Sequence, residues 1–72
     1  MNFKYKNILV YGLSVSGEWA SRLLVKLKAN VFLFDDNQET LKSKRIHGCC
    51  VLNALNEETI EQFDAVVVSP SI

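Results

Sequence analysis

The chain has little of what marks a secreted, membrane-spanning or nucleic-acid-binding protein. It carries two cysteines in 72 residues, and they are neighbours, Cys49 and Cys50. Consecutive residues of a strand point to opposite faces, so these two do not pair with each other. They also lack the CxxC spacing of a redox or zinc site. They read instead as reduced thiols in a buried strand. The single histidine, His47, has no cysteine or carboxylate at metal-ligand spacing and reads as a loop residue without a role. Neither sign of charge dominates, since eight Lys and Arg balance eight Asp and Glu. That balance removes any general attraction to nucleic acid or an anionic membrane. No apolar run approaches the roughly 20 residues that cross a bilayer. The first residues, Met-Asn-Phe-Lys-Tyr-Lys, lead straight into an apolar run with no signal-peptide core before it. The expectation is a cytoplasmic protein with no membrane and no nucleic-acid partner.

What is present is apolar material in short, regularly spaced runs. Hydrophobic residues make up 49% of the chain, enough for a core. The length allows one domain, residues 1–72, of the size that buries only about 60% of its unfolded surface. Ile8–Tyr11, Val31–Phe34, Cys49–Leu52 and Ala65–Val68 read as strands. Between the first two, Trp19, Ala20, Leu23, Leu24 and Leu27 fall on one helical face, which predicts a helix over Ser16–Lys28 packed through that face. Asp36 and Glu39 have capping-box spacing, predicting a short helix to about Lys44, with Lys42, Lys44 and Arg45 at its solvated end. Asn56 is placed to cap a third helix that opens with Glu57 and Glu58. The order β-α-β-α-β-α-β predicts an α/β fold, a Rossmann-like three-layer unit with a parallel four-stranded sheet. The last strand lacks the crossover helix that would follow it, so the chain is expected to be a truncated part of a longer protein.

Chemistry concentrates in three loops. Gly12-Leu13-Ser14-Val15-Ser16-Gly17 follows the first strand and opens the first helix. In a G-x-G-x-x-G fingerprint the first glycine makes the turn, the second admits a pyrophosphate, and the third lets helix approach strand. Here the first and third are present and Ser14 holds the middle place, which restricts close approach by a dinucleotide. The N–H groups at the helix start still form an anion site. Asp35 ends the second strand eighteen residues after Gly17, where an acidic residue can accept hydrogen bonds from a ribose. Ser69-Pro70-Ser71 leaves the fourth strand at the same edge of the sheet. The three loops should converge on one crevice, the usual ligand position of open α/β sheets. No G-x-x-x-x-G-K-[ST] loop is present to hold ATP and no nucleophile–base pair is visible, so the chain alone is expected to bind without turnover and has no catalytic residue.

Three segments together resemble a known family. Ile8–Ala20, ILVYGLSVSGEWA, is similar to the V-x-G-L-G-x-S-G-x-A opening of the Mur ligases, keeping Gly12-Leu13, Ser16-Gly17 and Ala20. Phe34-Asp35-Asp36 resembles that family's acidic strand end, and Asp64–Ile72, DAVVVSPSI, its D-x-V-V-x-S-P-G-I. The resemblance runs from Asn7 to Ile72. It departs from the family at Ser14 and Ser71, which replace glycines, and at Asn37, where some members carry a basic residue. It implies the N-terminal substrate-binding domain of a cytoplasmic enzyme of peptidoglycan synthesis, the type that joins D-glutamate to UDP-N-acetylmuramoyl-L-alanine. ATP and magnesium would be bound outside residues 1–72, and no cofactor is expected within them. By position, Ser14, Val15, Ser16 and Gly17 would hold the diphosphate and nearby uridine. Asp35, Asp36 and Asn37 would flank uracil and ribose, and Ser71 would lie along the nucleotide. Two other readings share the fold. One is an NAD(P)- or FAD-binding domain of an oxidoreductase or a potassium-channel regulator, which Ser14 disfavours. The other is a non-catalytic module that kept the fold and lost its ligand. A G-K-[ST] loop soon after Ile72 would support the ligase reading over both.

Overall fold

A computed structural model describes residues 2–43 and 46–69 of the chain. The strands are β1 (Asn7–Tyr11), β2 (Asn30–Phe34), β3 (Cys49–Val51) and β4 (Ala65–Val68), and the helices are α1 (Val15–Lys26), α2 (Gln38–Ser43) and α3 (Glu57–Glu61). Every strand pair is parallel and the order across the sheet is β3-β2-β1-β4. The fold is therefore α/β and Rossmann-like, as the alternation of runs predicts.

The core sits on the two inner strands. Ile8, Leu9, Val10 and Leu33 are wholly buried and Val31 nearly so. Registers Ile8↔Val31 and Val10↔Leu33 stack these side chains on one face, while Leu9↔Phe32 and Tyr11↔Phe34 fall on the other. The Phe32 and Phe63 rings meet edge-on at 5.1 Å, covering part of that second face. Asp64 fastens the start of β4 to β1, since its carboxylate accepts from the Asn7 N–H at 2.7 Å and its own N–H donates to the Asn7 carbonyl.

Helix α1 corrects one expectation. Its buried residues are Gly17, Ser21 and Leu24, whereas Trp19 is 71% exposed and Leu23 and Leu27 also face solvent. The cause is the closeness of helix to strand. A Cβ on Gly17 would overlap the Gly12 carbonyl oxygen, so the inward side admits only small residues at its start. Ser21 fits there because its hydroxyl is satisfied by the Gly17 carbonyl at 2.7 Å. An indole has no room on that side. The helix ends with the Lys28 N–H donating to the Val25 carbonyl and the Ala29 N–H to that of Leu24. These are the two bonds of a Schellman motif, with Lys28 at φ +67° in the place glycine usually takes.

Two smaller expectations also change. Asn37, not Asp36, caps α2, its side-chain oxygen accepting from the N–H groups of Glu39 at 3.0 Å and Thr40 at 3.1 Å. Cys49 is half-buried and Cys50 exposed, both as free thiols, because β3 is an edge strand with one thinly covered face. Burial pushes the Cys49 thiol pKa up, and the neighbouring Cys50 adds to the rise. Asn56 caps α3 as expected, accepting from the Thr59 N–H at 2.9 Å. His47 is exposed. Lys44 and Arg45 of the basic run lie outside the described residues.

Candidate functional site at the carboxyl edge of the sheet

Parallel strands deliver their carboxyl ends to one edge, and here that edge gathers Tyr11, Gly12–Gly17, Asp35–Asn37 and Ser69. The turn after β1 depends on glycine. Gly12 has φ +98°, and a Cβ there would overlap the Ser69 carbonyl oxygen. The backbone is stitched across this edge: the Gly12 N–H donates to the Phe34 carbonyl and the Ser69 N–H to that of Tyr11, both at 2.8 Å. Gly12 and Gly17 thus have packing reasons of their own, apart from any ligand.

Asp35 joins two of the loops. One carboxylate oxygen accepts from the Leu13 N–H and the other from the Asn37 N–H, each at 2.8 Å. A half-buried carboxylate holding two backbone donors fixes the turn after β1 against the turn after β2. Each oxygen keeps a further lone pair, so the same group can still accept from a ligand hydroxyl. Asp36 accepts from the Tyr11 hydroxyl at 2.5 Å. That bond, with some burial and the nearby Asp36 and Asp35 charges, raises the Tyr11 pKa above its ordinary value. Tyr11 is a member of this edge that the sequence reading did not single out. The available signal was a polar-tipped residue as the last of a central strand.

Ser14 stands at the N-cap of α1 in extended backbone, yet its side chain makes no cap bond. Its hydroxyl pairs with that of Ser69 at 2.5 Å, so the third loop is tied to the first as Asp35 ties the second. The first N–H groups of a helix have no partner within the helix, and here the cap side chain is turned elsewhere. The positive end of α1 therefore faces the mouth of the edge with Val15 and Ser16 exposed beside it. Glu18 in the first turn adds negative charge there and pairs with Arg22 at 2.9 Å.

Of the residues expected at a site, Ser14, Val15, Ser16 and Gly17 lie together on the first loop and helix start, and Asp35, Asp36 and Asn37 on the second loop. Ser71 lies outside the described residues. Asn37 uses its side-chain oxygen on α2, leaving its amide NH2 as the group it can offer. Among the described residues no cluster of His, Cys, Asp and Glu could hold a metal ion, and no helix is long and apolar enough to cross a membrane.

The chain is similar to two curated proteins. A UDP-N-acetylmuramoylalanine–D-glutamate ligase of Lachnoclostridium phytofermentans is 37% identical over 79 aligned positions, and that of Caldanaerobacter subterraneus subsp. tengcongensis is 33% identical over 78. Both alignments cover 100% of this chain and 17% of the relative, so the chain spans about a sixth of the length of the proteins it matches. No family model and no solved structure matches it. Similarity that covers the whole chain, on an α/β unit whose loops meet as the glycine and acidic segments predict, places the chain in the Mur ligase family, as a homologue of the N-terminal part of UDP-N-acetylmuramoylalanine–D-glutamate ligase.

Proposed function

We propose that this chain is the UDP-binding part of a ligase that joins D-glutamate to UDP-N-acetylmuramoyl-L-alanine during peptidoglycan precursor synthesis. The observation that carries this reading is the convergence of the Gly12–Gly17 loop, Asp35–Asn37 and Ser69 at one edge, in a chain 37% identical to such a ligase along its whole length. The diphosphate would lie against the N–H groups of Val15, Ser16 and Gly17, where the dipole of the 12-residue α1 favours negative charge. Ser14 would offer its hydroxyl in place of the close backbone approach a glycine allows. Asp35 would accept from the ribose or uracil while still holding Leu13 and Asn37, and Asp36 and the Asn37 amide would border the base. Ser71 would continue the contact along the nucleotide.

The division of labour follows from what the edge contains. Its described residues supply hydrogen-bond acceptors and a helix start, with no base poised against a nucleophile among them, and the sequence carries no P-loop. ATP and magnesium, which supply carboxylate activation in such a ligase, would be held outside residues 1–72, as would D-glutamate. This part of the protein would bind and orient the UDP moiety, so that the remote nucleotide contributes binding energy to placing the reacting carboxylate.

Backbone amide NMR during titration with UDP tests the assignment. Shifts concentrated at Leu13, Ser16, Gly17, Asn37 and Ser69 are expected. Shifts confined to other surfaces, or none at millimolar UDP, would overturn it.

A further inference from the structure

Tyr11 ends β1, and it is fixed at its backbone, its ring and its hydroxyl. Its carbonyl accepts from the Ser69 N–H at 2.8 Å, and its ring meets that of Phe34 at 5.6 Å, tilted by 52°. Its hydroxyl crosses to the second loop and donates to Oδ1 of Asp36 at 2.5 Å. Asp36 is exposed, and among the described residues this is the bond that holds its side chain. Without it the aspartate would turn freely in water. Asp35 differs, since two backbone N–H groups hold it. The bond to Asp36 also raises the Tyr11 pKa, so the phenol keeps its proton and stays the donor. With Oδ1 engaged, Asp36 presents Oδ2 as a held acceptor.

The next residue offers the opposite character. The Asn37 side-chain oxygen is taken by the N–H groups of Glu39 and Thr40, which leaves its NH2 to donate. An acceptor and a donor on consecutive residues suit a base edge with a donor beside an acceptor. Uracil has that edge in N3–H and O4, whereas cytosine sets the acceptor N3 beside an NH2 and mismatches both. Guanine shares the uracil pattern, so the choice of a pyrimidine rests on the proposed function. We infer that Tyr11 is a positioning residue: it holds Asp36 so that the free oxygen accepts from N3–H, and the site thereby selects uracil over cytosine. Tyr11 acts through Asp36 rather than by touching the nucleotide. Phenylalanine keeps the ring contact with Phe34 and loses only the hydroxyl, so Tyr11→Phe isolates the role.

Amide NMR titration of the full chain with UDP and with CDP, which differ only in the base, tests this. The unaltered chain should bind UDP about tenfold or more tightly than CDP, because cytosine loses a hydrogen bond to a charged acceptor. In Tyr11→Phe the preference should fall to about threefold or less, through weaker UDP binding at unchanged CDP binding and unchanged β-sheet amide shifts. A purely structural loss would weaken both nucleotides alike. Asp36→Asn puts an NH2 in place of the free oxygen and should abolish or reverse the preference. Adding Tyr11→Phe to Asp36→Ala should change nothing further, as expected of residues that act as one unit. No binding of UDP by the unaltered chain would overturn the proposed function and this inference together. UDP binding without preference over CDP, or a preference that survives Tyr11→Phe or Asp36→Asn, would overturn this inference alone.

Discussion

The two halves of the chain are built from the same alternation of strand and helix but are buried very differently. Every buried apolar side chain among the described residues lies between Ile8 and Ile46, and β3, α3 and β4 contribute none. The difference is one of position in the sheet. β1 and β2 each have a strand on both sides, whereas β3 and β4 are edges. A run such as Ala65–Val68 therefore has the composition of a fully covered strand while Val68 is 68% exposed. Composition reports what a strand can bury; its neighbours decide what it does bury.

The sharpest way to test that contrast is one substitution in each half. Leu33→Ala, in β2, should cost about 2–5 kcal/mol in denaturant unfolding, because it leaves a cavity in the packed centre. Val66→Ala, in β4, should cost less than about 1 kcal/mol, since much of that side chain is already in water. Equal costs would mean that the second half carries as much of the core as the first.

Gly17→Ala sharpens the same point within α1. The added methyl meets the Gly12 carbonyl, which is backbone and cannot swing aside, so a loss of about 1–3 kcal/mol is expected in the same assay. A neutral result would show that α1 does not depend on its close approach to β1.

Smaller effects belong to the loop edge. Asp35→Asn keeps the shape but replaces a charged double acceptor with a group having one acceptor oxygen. It should cost about 1–2 kcal/mol and speed hydrogen exchange at Leu13 or Asn37, with little change in the β-sheet amides. Smallest of all is a titration. The Tyr11 phenol should ionise above the ordinary tyrosine range, chiefly because its hydroxyl donates to Asp36, and Asp36→Asn should bring it down again. Ultraviolet absorbance against pH, with Tyr11→Phe to identify the signal, reads this directly.

Much of this edge was legible in the residues. Gly12, Gly17 and Asp35 were marked by spacing after predicted strands, and the structure brings their loops together. The orientation of α1 was not, because counting apolar residues favoured Trp19 and Leu23 as the inner face. The informative pattern was Gly17 and Ser21 four apart, small residues facing a strand that ends in Gly12. The cap of α2 lies one residue beyond the expected Asp36 because Asp36 and Asn37 are both good caps. Only the structure shows Asp36 occupied by Tyr11, 25 residues away. Contacts of that range leave no local signal, and the Ser14–Ser69 bridge, spanning 55 residues, is another such case.

The central claim is that the joined loops at the carboxyl edge hold the UDP part of the substrate. Calorimetric titration of the chain with UDP-N-acetylmuramoyl-L-alanine, UDP and NAD tests it most directly. The account predicts saturable heat from both uridine compounds, weakened by Asp35→Ala, and none from NAD. Binding of NAD alone, or no heat from the uridine compounds at millimolar concentration, would contradict it.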